Sequence, residues 1–312
     1  MQVRVTFNLN IPLILDQNIY MTHKAGFVNI IGKPNVGKST LMNALVGEKI
    51  SIITPKAQTT RHRILGIVNG EDYQVVISDT PGMLKPAYGL QKAMMTQVES
   101  AFQDADVLLF IAEVGESPNQ PDLIGKLKSR DIPVIVVINK MDLSDQPTVT
   151  ARIEEWQGVF PGATVIPVSA KLRVNVDSVM DRILELLPEN PPYYDKEQLT
   201  DKTVRFFVSE IIREKILLNY KKEVPYSVEV VVDQFKESID IFRIIAYIHV
   251  ARESQKIIII GKEGKAIKKT GIMARRDLEE WLGKKVYLEL TVKVAKDWRD
   301  DDLQLQRFGY EL

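Results

Sequence analysis

Gly32-Lys33-Pro34-Asn35-Val36-Gly37-Lys38-Ser39 fits the pattern G-x-x-x-x-G-K-S/T, in which glycines free successive backbone N–H groups to converge on a phosphate. An eight-residue match also fits an ordinary glycine-rich turn, so its surroundings decide. Phe27–Ile31 before it is a short apolar run, and Ser39–Val46 after it reads as a helix. Strand, loop and helix in that order aim the helix's positive end at the same anion. Residues Gly32, Lys33, Pro34, Asn35, Val36, Gly37, Lys38, Ser39 and Thr40 then form a phosphate site. Lys38 neutralises the β- and γ-phosphate oxygens, and the Ser39 hydroxyl ligates Mg²⁺.

Four more apolar runs follow, at Tyr73–Ser78, Val107–Glu113, Pro133–Ile138 and Val165–Val168. Helical patterns lie between and after them, at Leu90–Asp104, Pro121–Ser129, Val149–Val159 and Val176–Leu187. Continuous apolar strands alternating with helices predict an α/β fold, a mostly parallel sheet with helices on both faces. The phosphate loop belongs at the carboxyl end of its first strand.

Three segments at the ends of later strands narrow the nucleotide. Asp79-Thr80-Pro81-Gly82 offers a carboxylate that holds Mg²⁺ through water and a Gly82 N–H that reaches the γ-phosphate. In Asn139-Lys140-Met141-Asp142, the Asp142 carboxylate is placed to accept both guanine donors, N1–H and the N2 amino group. Adenine lacks that donor pair, so the acid selects GTP over ATP. Val168-Ser169-Ala170-Lys171 supplies backbone N–H to the guanine oxygen. An isolated aspartate is as readily a helix cap or a turn residue; four segments in order on the right elements read as a GTPase.

The proline cluster Pro188-Glu189-Asn190-Pro191-Pro192 ends this pattern. The expected division is an N-terminal extension over 1–20, a P-loop GTP-binding domain over 21–187, a linker over 188–202 and a second domain over 203–312. In that second domain Val204–Leu218 reads as a helix, Tyr226–Val232 and Ile239–Arg252 as strands, Lys265–Leu282 as a helix and Val286–Val294 as a strand. Ile259-Ile260-Gly261-Lys262-Glu263-Gly264 has the form of the G-x-x-G loop that clamps RNA backbone in KH domains. The element order predicts an α+β type II KH domain. Gly261 and Gly264 allow close approach of phosphate, and Lys262, Lys265, Lys268 and Lys269 crowd the loop and the first turns of its helix. Glu263 sits awkwardly among them.

Lys+Arg and Asp+Glu each number 41 of 312 residues, so the RNA surface must be local. The absence of cysteine excludes disulfides and thiolate chemistry, and three scattered histidines suggest no metal cluster. No apolar run reaches the ~18 residues of a membrane span. Met1–Tyr20 lacks the features of a signal or transit peptide; the expectation is that Met21 is the authentic start.

Lys56-Ala57-Gln58-Thr59-Thr60-Arg61-His62-Arg63 resembles the switch loop of the Era family of translation-factor-related GTPases. The likeness extends to Ser209–Lys215, Leu217-Leu218, Pro225–Val228, and the tail from Trp298–Asp302 through Gly309-Tyr310. It implies that Thr59 or Thr60 contacts Mg²⁺ and senses the γ-phosphate, with Thr60 slightly favoured. The set of expected catalytic residues is then Lys38, Thr59, Thr60, Asp79 and Gly82, with Ser39 and Thr60 on the metal. Met83 stands where Ras-like proteins carry the glutamine that orients the attacking water. A thioether cannot do this, so intrinsic hydrolysis is expected to be slow. Relatives share that hydrophobic residue and an asparagine matched by Asn35, which implies K⁺ near the phosphates and faster turnover in K⁺ than in Na⁺. The resemblance further implies a monomeric cytoplasmic ribosome-assembly factor, binding the 3′ end of 16S rRNA on the 30S subunit, with peripheral association at the inner membrane face. Two alternatives differ in the second domain. A KH-like module for protein contacts would lack the glycine loop, and a tRNA-modification GTPase would call for a terminal cysteine.

Overall fold

A computed structural model describes residues 23–312. The expectation for Met1–Tyr20 and a start at Met21 lies outside the described residues. The first unit runs β1 (Lys24–Gly32), α1 (Lys38–Val46), β2 (Ile64–Asn69), β3 (Tyr73–Asp79), α2 (Gly89–Gln103), β4 (Val107–Glu113), α3 (Pro121–Lys128), β5 (Val134–Asn139), α4 (Gln146–Val159), β6 (Thr164–Pro167) and α5 (Val176–Leu186). Its six strands are ordered β2-β3-β1-β4-β5-β6, all parallel except β2, which pairs antiparallel with β3. Central strands are apolar on both sides because helices cover both. Val28, Ile30, Leu109 and Val137 pack under α1 and α5, and Phe110, Val136 and Ile138 pack with Phe102 and Trp156.

Strand β2 was not among the expected elements. Its outer edge is not bare: Ile67 N donates to Leu199 O (2.8 Å) and Leu65 N to Asp201 (2.9 Å). Segment 188–202 therefore runs along the first unit, also receiving Ala25 N at Pro188 O (3.2 Å). Helix α4 begins three residues ahead of its apolar pattern, because Asp145 caps it by accepting Thr148 N at 3.0 Å.

The second unit runs α6 (Val204–Asn219), β7 (Val228–Glu237), β8 (Ile241–Val250), α7 (Glu253–Ile260), α8 (Lys265–Leu282), β9 (Lys285–Val294) and α9 (Asp302–Arg307). β7 is antiparallel and β9 parallel to β8, and α6, α7 and α8 cover one face of the sheet. This α-β-β-α-α-β order is the type II KH arrangement. It corrects one expectation: α7 precedes the glycine loop, so the loop joins two helices. Gln255 starts α7 by accepting both Ala251 N (2.9 Å) and Arg252 N (3.1 Å).

Candidate functional site

The loop after β1 makes its turn with Asn35 (φ 66°) and Gly37 (φ 100°) in the left-handed region. A Cβ at Gly37 would stand 2.2 Å from Asn139 Nδ2, so position 37 needs glycine for space as well as backbone angle. Lys38 is 6 % exposed and its amine lies 2.8 Å from Lys33 O and 3.2 Å from Gly32 O, inside the loop. Burial lowers its pKa to about 8, against the pull of Asp79 in the other direction. Lys33 itself pairs outward with Glu116 at 3.0 Å.

Three oxygen-bearing side chains meet beside Lys38. Ser39 Oγ donates to Asp79 Oδ2 at 2.6 Å, and Thr60 Oγ1 lies 2.9 Å from Ser39 Oγ and 3.2 Å from Asp79 Oδ2. Asp79 Oδ1 is buried without a hydrogen-bond partner. Burial raises the Asp79 pKa, opposed by the Ser39 hydrogen bond and the Lys38 charge. A carboxylate oxygen in want of a partner, next to two hydroxyls, is a donor set for a hard cation such as Mg²⁺. The neighbouring threonine is elsewhere: Thr59 Oγ1 bonds Lys56 O and Thr54 Oγ1, each at 2.6 Å. Thr80 hydrogen-bonds Ile30 O (2.7 Å) and braces β1. Gly82, following Pro81, lies against the phosphate loop, and Met83 N ties back to Gly32 O at 3.1 Å. The Met83 side chain packs on the core around Phe102 and Phe110.

Adjoining clefts of about 650 and 460 Å³ share Gly37, Thr40, Ile53, Lys140 and Lys171. The larger also holds Asn139, Asp142 and Ala170. Asp142 Oδ1 accepts Ser169 Oγ at 2.5 Å, which fixes the carboxylate at the cleft. Asn139 acts inside the protein: Nδ2 donates to Val36 O (2.8 Å) and Oδ1 accepts Ala170 N (3.0 Å), joining the phosphate loop to the Val168–Ala170 turn. Lys140 pairs with Glu113 at 2.8 Å. Sequence reasoning did not single out Asn43, Ala44 and Glu48, which wall the larger cleft from the end of α1. They carry no motif and are brought there only by the fold.

At the other end of the chain Gly261 (φ 72°), Glu263 (φ 52°) and Gly264 (φ 72°) turn the backbone between α7 and α8. Glu263 pairs with Lys265 at 2.7 Å, which leaves Lys262, Lys268 and Lys269 as exposed cations of the patch. A groove of about 270 Å³ beside them is lined by Ile267, Gly271, Ile272, Leu288 and Leu290, with Lys268 and Arg275 at its rim. Gly271, Ile272 and Arg275 were not anticipated.

Between the two units lies a contact that no motif announced. Arg61, the residue after Thr60, is fully buried in the second unit. Its Nη1 donates to Val228 O (2.6 Å) and Glu229 Oε2 (3.1 Å), and its Nη2 to Pro225 O (3.3 Å). Glu229 also accepts the Tyr310 hydroxyl at 2.7 Å. Arg213 on α6, forked onto Glu210, donates to Thr59 O at 2.5 Å. His62 stacks on Tyr310 with ring centroids 4.3 Å apart, and burial holds its pKa near a value of about 3, so the ring is neutral. The loop after Gly82 is held as well: its Leu84 and Tyr88 pack against the cluster of Leu90 and Met94 on α2 with Trp298 and Leu305, and Gly89 N, at the start of α2, donates to Asp300 at 2.8 Å.

A family model described as 50S ribosome-binding GTPase matches residues 27–140, and a KH-domain model matches 223–299. Fold and site thus define a P-loop GTPase carrying a C-terminal KH domain. The chain is 45 % identical over 290 residues to GTPase Era of Geotalea daltonii, covering 92 % of this chain and 98 % of that one. It is 44 % identical to GTPase Era of Staphylococcus epidermidis, covering 92 % and 97 %. Among solved structures, Era in complex with MgGDPNP and nucleotides 1506–1542 of 16S ribosomal RNA superposes with a TM-score of 0.89 at 40 % identity, covering 93 % of this chain and 100 % of that one. A point variant of Aquifex aeolicus Era bound to GDP·AlF₄⁻ gives the same TM-score, identity and coverage. The chain belongs to the Era family of GTPases and hydrolyses GTP to GDP and phosphate.

Proposed function

We propose that this GTPase is a ribosome-assembly factor of the 30S subunit whose KH domain holds the 3′ end of 16S rRNA, with a grip that depends on the bound nucleotide. The observation that carries the nucleotide dependence is the adjacency of Thr60 and Arg61. One points into the Mg²⁺ site and the next is buried in the KH domain, so a change at the γ-phosphate moves both or breaks one. The RNA assignment is supported by the Era complex with 16S ribosomal RNA and by the glycine loop with its exposed lysines.

In this reading the phosphate-loop N–H groups and Lys38 hold the β- and γ-phosphates, and Gly82 N–H meets the γ-phosphate. Ser39, Thr60 and Asp79 would hold Mg²⁺, which would supply positive charge to offset that of the phosphate oxygens. Asp142, oriented by Ser169, accepts the two guanine donors. Met83 is turned into the core and places no group on the attacking water, so intrinsic turnover is expected to be slow. Asn35 is the side chain suited to K⁺. A ribosomal partner implies a cytoplasmic site of action. No helix among the described residues is long and apolar enough to cross a membrane, so any membrane association of this part would be peripheral.

The two threonines separate in a direct test. Thr60→Ala should lower Mg²⁺-dependent GTP turnover by about 100-fold, the scale of losing one electrostatic contact to the developing charge. Thr59→Ala, which removes a hydroxyl bonded to Lys56 O and Thr54, should lower it far less; single-turnover rates of the two variants, if equal, would reject the assignment.

The RNA assignment is tested by Gly264→Asp. Nothing lies within 4 Å of a Cβ there, so the cost is that of the left-handed backbone at φ 72°, which aspartate tolerates better than most residues, and a carboxylate enters the phosphate-facing turn. RNA affinity should fall at least about tenfold, with RNA-free GTP turnover retained. Unchanged RNA affinity would favour the KH-like domain as a protein-interaction module.

A further inference from the structure

We propose that Tyr220 is the positioning residue through which the switch loop sets the glycine loop of the KH domain. The inference rests on the nucleotide-gated reading above. It concerns a different contact from Arg61, which fastens the switch loop to β7 and the turn before it and does not touch the RNA-facing turn.

Tyr220 is the residue that ends α6 and is buried, at 6 % exposure. Its carbonyl, with that of Leu217, receives the amine of Lys56 from the switch loop. The last carbonyls of a helix have no partners within it and carry the negative end of the helix dipole, so an ammonium there both caps and anchors the end. The opposite end of the same residue reaches the RNA site. The Tyr220 hydroxyl donates to Ile259 O at 2.8 Å, in the last turn of α7 and two residues before Gly261. It lies 3.2 Å from Thr270 Oγ1 on α8. Asn219, the preceding residue, donates to that same Thr270 hydroxyl at 3.2 Å.

The phenol therefore joins the two helices that flank the glycine loop, and its main chain is held by the switch loop. Ile259 is fully buried, so a shift of its carbonyl cannot be absorbed by solvent without repacking. When the switch loop rearranges, Lys56 leaves the end of α6, and the last turn, which Tyr220 N closes onto Ile216 O at 3.1 Å, becomes free to move. The hydroxyl then no longer fixes α7 against α8, and the loop's N–H groups lose their common aim at phosphate.

The test uses the full chain and an RNA oligonucleotide with the sequence of nucleotides 1506–1542 of 16S rRNA. RNA affinity is measured with GDP and with a non-hydrolysable GTP analogue at one fixed salt concentration. Wild-type protein should show a difference of about fivefold or more between the two states, the usual span of a coupling between sites. Tyr220→Phe should bring that ratio to within about twofold, and RNA should lose its reciprocal effect on nucleotide affinity by the same factor. If Tyr220 merely props the loop, the variant will weaken RNA binding equally in both states and keep the ratio, and that result overturns the proposal. Lys56→Met approaches from the switch side without altering the KH core; it too should collapse the ratio, and its failure to do so overturns the proposal even where Tyr220→Phe does not fold. A wild-type ratio near one would instead overturn the nucleotide-gated reading itself, and this inference with it.

Discussion

Arg61→Met should loosen the docking of the KH domain on the GTPase domain by about 3–5 kcal/mol, because it leaves a buried carboxylate without its partner. Glu229 is nearly as buried as Arg61, with side-chain exposures of 8 % and 0 %, and burial already pushes its pKa up against the pull of Arg61 and Arg213. Removing the guanidinium leaves Glu229 with Tyr310 and the more distant Arg213 charge. The loss should appear as faster amide exchange in α6 and β7 and as RNA binding that no longer responds to the nucleotide. Arg61→Met combined with Glu229→Gln should recover much of the docking, since the uncompensated charge is gone and an acceptor for Tyr310 remains. The RNA response should stay absent in that double variant, because the link to Thr60 is still cut. If Arg61→Met leaves both exchange and RNA response as in the wild type, the buried pair is not what joins the domains.

Asp142→Asn should invert base selectivity. In the proposed role the carboxylate accepts two hydrogen bonds from guanine, whereas an amide would set its own N–H₂ against the N2 amino group. Binding of GDP should fall by about 10²–10³, less than for a fully enclosed site of this kind because Asp142 is exposed. Xanthine carries an oxygen in place of that amino group, so XDP should bind the variant better than GDP does. The Ser169 hydroxyl still has an oxygen to donate to at position 142, so orientation is kept. Calorimetric titration with both diphosphates decides it: unchanged preference for GDP would place the base elsewhere.

Much of the fold was legible because strand and loop chemistry coincided. Val107–Glu113 has the same bounds as read and as folded, since a run buried on both faces needs no partner to declare itself. Strand β2 was hidden by its composition. Gly66 interrupts its apolar run, and a Cβ there would stand 2.5 Å from Ile50 Cδ1, a packing demand invisible in one dimension. Helix α7 was hidden by four consecutive isoleucines, which locally favour a strand. Tertiary burial of Ile259 and the Gln255 cap outweigh that preference.

In the site, sequence placed the phosphate loop, Asp79 and Asp142 together but could not separate Thr59 from Thr60. Adjacent residues of an irregular loop have no period to tell which faces inward. The side chains of Asn139 and Thr80 turn out to brace the protein, because each is satisfied by backbone groups that only the folded sheet brings near. The domain contact was the least legible. Arg61, Arg213 and Glu229 are ordinary charged residues until the tertiary fold buries them together.

In the proposed mechanism the KH domain reads the nucleotide through the switch loop. The dissociation constant of the protein for the 16S 3′-end RNA decides this, measured with GDP and with a non-hydrolysable GTP analogue in the same buffer and salt. The two constants should differ by about fivefold or more. Equal constants would contradict that mechanism.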